Sequence, residues 1–298
     1  MYDDFEKLSK TKYLYHYTSF ETLFAILDNF RRNGTLIMRA SNVYNVNDPS
    51  EMEKGYDVLK KHLRHYEDEK DIPESLRLSE VFDNEQYEKA CKEDYLNGKD
   101  KDLISIGIIP YIMCFTMRRD FLPMWSLYGA KGKGVCIKMD ASDLMKQPNV
   151  IKGFITYSDR YTEGGFWQSL SYMYNMYIRD FSRKVVTIGE KTRELATICI
   201  AVAPFVKHKD YQYEKEFRIV SYESYTPPID NDVIILPLRK IKPYIDIPLS
   251  IESIKEIIIG PDANYEVMRH VLGNMITECG LNSQMISRSK ISFKNNNH

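Results

Sequence analysis

One segment constrains the fold most, because it alternates charged and other residues and then becomes wholly apolar. It runs Tyr211-Gln-Tyr-Glu-Lys-Glu-Phe-Arg-Ile-Val220. Side chains two residues apart in a β-strand share a face, so a strand here would place Glu214, Glu216 and Arg218 together. The same pattern is an ordinary way to pair charges on a solvated strand face, and that structural interpretation stays open. The segment therefore predicts a strand that carries two carboxylates and an arginine on one face.

A second segment, near the other end of the chain, supplies a histidine. Residues 12–18 predict a short aromatic strand that ends in Tyr15-His16-Tyr17-Thr18. A capping-box pattern begins at Thr18 and predicts that a helix follows directly. His16 would then lie where a strand passes into a helix. Its imidazole could serve a ligand, or it could be a core histidine whose hydrogen bonds are satisfied within the protein.

Composition narrows the class of protein. The chain has 298 residues, of which 43% are hydrophobic, ample for a packed core in one large or two ordinary domains. Lys and Arg number 41 and Asp and Glu 42, for a formal net charge of -1. This balance gives no overall electrostatic field of the kind that marks a nucleic-acid or membrane binder. A local basic groove is still compatible with it. The first residues are acidic and no segment suits a membrane span, which predicts a cytoplasmic protein without a membrane partner.

The cysteines favour a reducing compartment. They are odd in number, lie far apart, and several fall in apolar segments: Cys91, Cys114, Cys136, Cys199 and Cys279. These spacings match no zinc site and favour reduced core thiols. No bound metal is therefore expected.

The order of the predicted elements indicates an α+β fold. Residues 108–116 form a nearly continuous apolar run, which is typical of a strand buried on both faces. Strands and helices follow without the regular alternation of a βαβ protein, so we predict mixed, mainly antiparallel sheets. Residues 54–103 and 163–201 carry helical patterns and are predicted to be helical insertions in a single domain spanning residues 1–298.

Three further features have competing interpretations. The glycine-rich residues 129–134 precede a strand, so they predict a hairpin turn and not a dinucleotide-binding loop. Trp125 and Tyr128 lie on a predicted short helix and are either core aromatics or part of a ligand platform. The basic residues 205–210 could meet an anionic substrate or pair with Glu214.

These motifs together resemble a bacterial and phage family of unknown function, over nearly the whole chain. The segments that carry the likeness are Tyr15-His16-Tyr17-Thr18, Asn47-Asp48-Pro49 with Glu51, Met124-Trp125 with Tyr128, Gly134–Lys138, Tyr213–Ile219, Lys255–Gly260 and Ser289–Lys294. The last segment departs slightly, because Ser292 stands where a proline is expected. The arrangement is similar to the ADP-ribosyltransferase fold, in which residues on three strands hold NAD.

The resemblance assigns roles to particular residues. His16 would act on the first strand and Glu216 on a late strand, where Glu214 completes a Glu-x-Glu motif. The position on the second strand is filled either by Ser41 or by Tyr128. The implied catalytic residues are Glu216, Glu214 and His16, and the implied NAD-binding residues are His16, Tyr17, Thr18, Ser41, Trp125, Tyr128 and Arg218.

The chemistry of NAD cleavage suits these residue types. Breaking the nicotinamide–ribose bond develops positive charge on the sugar, so a fixed carboxylate such as Glu216 would stabilise the transition state. His16 would orient a ribose through a hydrogen bond. Glu214 would position or deprotonate the acceptor. Arg218 is expected to be a structural partner of Glu214 or, alternatively, a phosphate clamp.

The resemblance thus implies an NAD-dependent ADP-ribosyltransferase that modifies a macromolecular acceptor, either protein or nucleic acid. A toxin or phage-defence role, with a neutralising partner, is a further implication of the family. Two alternatives stay open: a catalytically silent module that binds a nucleotide or nucleic acid, and an NAD glycohydrolase without an acceptor. This type of fold includes inactive members, so the resemblance indicates a site more firmly than an activity.

Overall fold

The computed structural model describes residues 11–45, 51–100, 103–104, 108–157, 165–224, 236–237 and 243–292. The strands are β1 Tyr13–Thr18, β2 Leu36–Asn42, β3 Leu103–Ile104, β4 Ile108–Thr116, β5 Val135–Asp140, β6 Ile151–Phe154, β7 Glu216–Ser224, β8 Leu236–Pro237, β9 Tyr244–Leu249, β10 Ile254–Ile259 and β11 Ile286–Arg288. The α-helices are α1 Phe20–Asn33, α2 Glu51–Glu69, α3 Glu85–Asp100, α4 Leu122–Leu127, α5 Ala141–Met145, α6 Gly165–Phe181, α7 Ile188–Val202 and α8 Tyr265–Glu278. Short 3-10 turns lie at Val43–Asn45, Glu74–Leu76, Ser79–Asp83, Ala130–Gly132, Ala203–Phe205, Lys209–Glu214, Ile251–Ser253 and Ser283–Met285.

The main sheet of the described residues contains nine strands, and β4 lies at its centre. The strand order is β11-β10-β5-β1-β4-β2-β9, with β7 beside β4 and β6 beside β7. The pair β10–β11 is parallel and the other pairs of this sheet are antiparallel. The predicted α+β fold with a mixed, mainly antiparallel sheet is therefore confirmed.

One edge of the strand β4 pairs with two strands, β1 and β2. Its other edge pairs with β7 along the whole strand. On the shared edge, Ile112 lies opposite Ser41 of β2, and Thr116 lies opposite Tyr15 of β1. Residues 113–115 lie between these two pairings, so the sheet divides there into a β1 side and a β2 side.

Both faces of β4 are buried, as its apolar run predicts. Met113 and Phe115 join a core that also contains Leu23 of α1 and Leu272 of α8. Ile112 faces the opposite way, into a second core built largely by α2, α3, α6 and α7. The helices predicted from residues 54–103 and 163–201 are thus present, and they pack together as one layer on this face.

The passage from β1 into α1 corrects one detail of the sequence analysis. The predicted strand is present, but the N-cap of α1 is Ser19, whose hydroxyl accepts a hydrogen bond from the Thr22 amide at 3.2 Å. Thr18 instead belongs to β1, where it lies opposite Val135 of β5. The capping box predicted to begin at Thr18 is wrong, because the cap is one residue later.

All five cysteines are free, as predicted; Cys114 is partly exposed and the other four are buried. Within the described ranges, every helix is too short or too polar to span a lipid bilayer. The predicted turn at residues 47–49 lies outside the described residues. Cytoplasmic localisation stays a prediction.

Candidate active site

A cavity of about 320 Å³ lies where the main sheet divides. Residues 113–115 of β4 contribute to its wall, between the β1 side and the β2 side. Its lining combines carboxylates, cations, aromatic rings and apolar side chains: Tyr15, His16, Tyr17, Arg39, Ser41, Ile112, Met113, Cys114, Phe115, Thr116, Met124, Tyr128, Lys207, Tyr211, Glu214, Glu216 and Arg218. Such a concave, mixed lining is typical of a small-molecule site.

The imidazole of His16 on β1 contacts β4 at the point where the sheet divides. Its Nδ1 lies 2.9 Å from the main-chain oxygen of Cys114, so Nδ1 carries a proton and donates it to that carbonyl. Burial lowers the pKa of His16, against the opposing effect of the same carbonyl. The ring is therefore neutral at pH 7 and its Nε2 is an acceptor.

The predicted strand from residue 211 is wrong in its first half. Lys209–Glu214 forms a 3-10 turn, which the amide of Lys215 ends by donating to the carbonyl of Gln212. Lys215 has a φ of 47°, in the left-handed region, and this backbone cannot continue as a strand. The strand β7 begins only at Glu216, so Glu214 does not share a strand face with it.

Lys207 nevertheless brings the two carboxylates together. Its Nζ lies 2.7 Å from Oε2 of Glu214 and 3.1 Å from Oε2 of Glu216. All three residues are at most 5% exposed, and the ammonium also lies 4.7 Å from the centre of the Tyr211 ring. Of the two interpretations of the basic residues 205–210, pairing with Glu214 is present through Lys207, whereas the contact of Lys207 with Glu216 was not predicted.

Arg218 pairs with Glu216 and not with Glu214. Its Nε donates to Oε1 of Glu216 at 2.6 Å, and its Nη1 donates to the Pro204 carbonyl at 2.6 Å. The two residues alternate on β7 and so share a face, whereas Glu214 precedes the left-handed turn. The predicted structural role of Arg218 is thus supported with a different partner, and the expected pairing with Glu214 is wrong.

The two carboxylates have opposite electrostatic environments. For Glu216, burial opposes ionisation, but the charges of Arg218 and Lys207 outweigh it and lower the pKa to about 2. For Glu214, burial raises the pKa, and the attraction of Lys207 offsets this only in part. The site therefore combines one firmly ionised carboxylate with one that protonates more readily.

Two tyrosines contact the residues that carry these carboxylates, one through a side chain and one through the main chain. The Tyr128 hydroxyl donates to Oε1 of Glu214 at 2.8 Å, and burial raises the pKa of Tyr128, so the hydroxyl keeps its proton. The Tyr157 hydroxyl accepts a hydrogen bond from the Glu216 amide at 2.8 Å. Tyr157 was not predicted, since no local pattern links residue 157 to residue 216.

The cavity collects most of the residues that the sequence assigned to it. Thr18 and Trp125 are the exceptions among the predicted NAD-binding residues, because neither contributes to the lining. Trp125 is fully buried, packs against Tyr17 at 4.9 Å and donates its Nε1 hydrogen to Asp120 at 2.8 Å. The Tyr17 hydroxyl donates to the Arg118 carbonyl at 2.9 Å.

Arg39 is a lining residue that the sequence analysis missed. The alternation of apolar and polar residues from Met38 to Ser41 could have revealed it, because a strand places Arg39 and Ser41 on one face. In the structure both are exposed, and the residues on either side are buried. In the part of the chain that the structure describes, no cluster of three His, Cys, Asp or Glu side chains could hold a metal ion.

The fold and the site define an α+β protein with a charged cavity in a divided sheet. Residues 124–219 match the family described as "Protein of unknown function (DUF2971)". The matched segment includes Tyr128, Lys207, Glu214, Glu216 and Arg218, and it covers less than half of the chain. No curated protein and no solved structure matches the chain. The likeness to a family of unknown function is thus supported over this segment, while the ADP-ribosyltransferase resemblance stays a prediction.

Proposed function

We propose that the cavity binds NAD and that the protein transfers ADP-ribose from NAD to a macromolecular acceptor. One observation carries this proposal: β1, β2 and β7, which are distant in sequence, contribute His16, Ser41 and Glu216 to a single cavity. Under this proposal, they would correspond to the three strand positions that hold NAD in the ADP-ribosyltransferase fold. Ser41 is the better second-strand residue, because Tyr128 lies just after α4 and not on a strand.

Glu216 is the carboxylate that best suits the first chemical step. Cleavage of the nicotinamide–ribose bond releases neutral nicotinamide and leaves positive charge on the sugar. A carboxylate whose pKa is about 2 is ionised throughout the physiological range. Arg218 and Lys207 fix its position, so no reorganisation is needed as the charge develops.

The neutral imidazole of His16 would hold the ribose. Its Nδ1 hydrogen is directed to the Cys114 carbonyl, which leaves Nε2 to accept a hydrogen bond from a ribose hydroxyl. Orientation of this kind does not require the histidine to change its protonation state. The lowered pKa of His16, caused mainly by burial, keeps the acceptor available at pH 7.

Glu214 would act on the acceptor. Its pKa is raised by burial, which brings it closer to the range in which a general base is effective. Proton removal from the acceptor would accompany formation of the new bond to the ribose carbon, so that NAD and acceptor yield ADP-ribosylated acceptor, nicotinamide and a proton. Tyr128 and Lys207 would keep the carboxylate in place.

A second candidate is a binding module without catalysis. The observation that favours it is the double pairing of Glu216, whose Oε1 and Oε2 contact Arg218 and Lys207 respectively. A buried carboxylate held by two cations also suits a purely structural role, because its removal would leave uncompensated charge.

Release of nicotinamide from NAD separates the two candidates. Glu216→Gln is expected to lower release by about a hundredfold or more, the scale of losing one electrostatic stabiliser. Glu256→Gln is the matched control, since Glu256 is also ion-paired, with Arg119 at 2.7 Å, but does not line the cavity. Equal rates in wild type and Glu216→Gln would contradict the proposed role.

Labelled NAD tests the transfer step. Incubation of wild-type protein with cell extract is expected to label a protein or nucleic acid. Release of nicotinamide without any labelled acceptor would instead assign NAD hydrolysis. No release at all, with NAD still bound, would favour the binding module.

A further inference from the structure

We infer that Arg39 binds the diphosphate of the ligand at the rim of the cavity, and this identification of the ligand rests on the proposed function. The chemical class recognised is a nucleoside diphosphate. Arg39 lies on β2 with Ser41, and both are exposed on the same face of the strand. Two residues along a strand span about 7 Å, so a sugar held near Ser41 would have Arg39 within reach of its phosphates.

The described lining of the cavity carries one more cation than carboxylates, and that additional cation is Arg39. Among the described lining residues, the cations are Arg39, Lys207 and Arg218, and the carboxylates are Glu214 and Glu216. Lys207 contacts both carboxylates and Arg218 contacts Glu216. Three cations against two carboxylates leave a formal charge of one positive unit, and Arg39 is the lining cation outside this buried network.

The one acidic partner described for Arg39 is weakly engaged. Nε of Arg39 lies 3.6 Å from Oδ1 of Asp246, and the two side chains are 62% and 54% exposed. This separation exceeds that of a charge-assisted hydrogen bond, and exposed ion pairs contribute little to stability. A phosphate could therefore replace Asp246 with little loss of free energy.

A tyrosine prepares the guanidinium of Arg39 for an anion. The carbon centre of the guanidinium lies 4.0 Å from the centre of the Tyr244 ring, on the neighbouring strand β9. Stacking on an aromatic ring restricts the plane of the guanidinium and so reduces the entropy lost on binding. Its planar fork of N–H groups matches two phosphate oxygens.

Three ligands test the inference by calorimetric titration. ADP-ribose and ADP contain the diphosphate, whereas nicotinamide riboside contains the sugar and the base but no phosphate. Arg39→Gln is expected to weaken binding of ADP-ribose and ADP by about tenfold to a hundredfold, the loss typical of hydrogen bonds to a charged group. Binding of nicotinamide riboside is expected to be unchanged.

Arg288→Gln is the matched control. Arg288 is also exposed and lies over a tyrosine ring, that of Tyr265 at 5.7 Å, but it does not line the cavity. The control is expected to bind all three ligands as the wild type does. Arg39→Lys is expected to bind ADP-ribose with intermediate strength, because lysine keeps the charge and loses the planar fork.

The outcomes separate this inference from the proposed reaction. Equal affinity of wild type and Arg39→Gln for ADP-ribose would overturn the inference, as would an equal loss of affinity for nicotinamide riboside. A wild type that binds none of the diphosphates would overturn it too. Arg39-dependent binding of ADP-ribose by a protein that releases no nicotinamide would support the diphosphate site and contradict the transferase.

Discussion

The guanidinium of Arg218 and the carboxylate of Glu216, two residues apart on β7, form a buried pair with Nε 2.6 Å from Oε1. Arg218 is 1% and Glu216 5% exposed. Taking two charges out of water is costly, and only close geometry with further hydrogen bonds offsets that cost. The Pro204 carbonyl and Lys207 supply these further contacts.

Arg218→Met is expected to destabilise the protein by about 3–5 kcal/mol, the scale of leaving one buried charge without its partner. Urea unfolding at pH 7 measures this. The double variant Arg218→Met with Glu216→Gln should recover part of the loss, because the unpaired carboxylate is gone. A double variant no more stable than Arg218→Met alone would contradict this account of the pair.

Lys207→Met is expected to destabilise the protein more at pH 7 than at pH 5. Without the ammonium, Glu214 faces Glu216 directly, and the pKa of Glu214, already raised by burial, rises further. An acid whose pKa is higher in the native state stabilises the fold as the pH falls. Unfolding at both pH values measures the difference, which Lys207→Met with Glu214→Gln should abolish. A deficit that is the same at pH 5 and pH 7 would contradict the prediction.

The histidine on β1 gives a prediction of the opposite sign. The pKa of His16 is lowered in the native state, mainly by burial, from about 6.5 in the unfolded chain. Below pH 6.5 the unfolded state binds more protons than the native state does. The free energy of unfolding therefore decreases as the pH is lowered. His16→Gln should therefore lose less stability between pH 7.5 and pH 5.5 than the wild type does.

The control for that measurement is the exposed His208, whose Nδ1 lies 3.3 Å from Asp210 at the protein surface. His208→Gln should keep the decline that the wild type shows. If His16→Gln declines as steeply as the wild type, the native imidazole is not held neutral.

Tyr128→Phe separates transfer from cleavage of NAD. The variant removes the hydroxyl that donates to Glu214 at 2.8 Å and keeps the ring. A loss of about tenfold in labelling of the acceptor is expected, on the scale of one hydrogen bond to a charged group. Nicotinamide release, which in the proposed reaction depends on Glu216, should change far less. Equal losses in both reactions would leave Glu214 without a separate role.

Regular patterns made several parts of the fold predictable. The apolar run of β4 is long enough to indicate burial on both faces, and the whole strand was predicted from Ile108 to Thr116. Glu216 and Arg218 were predicted to share a face because strand alternation is a local property. His16 was placed at the end of a strand by the helix that follows it.

The remaining features depend on contacts between distant segments. Nothing local to Lys215 indicates a left-handed backbone, since a lysine there pays a conformational cost that only the surrounding packing can offset. Lys207 contacts two carboxylates because the turn Lys209–Glu214 brings the chain back towards it. The gap between β1 and β2 on one edge of β4 depends on where each strand pairs with β4. The sequence of a single strand does not specify that register.

The divided edge of β4 also has a consequence for synthesis. β1, β2 and β4 leave the ribosome early, and they carry His16, Arg39 and Ser41. The two lining carboxylates and their cationic partners follow only with residues 207–218. A nascent chain that ends before β7 would contain the positions proposed to bind the sugar and the phosphates, but not the groups proposed to act on NAD. The proposed activity would therefore begin only after most of the chain has been made.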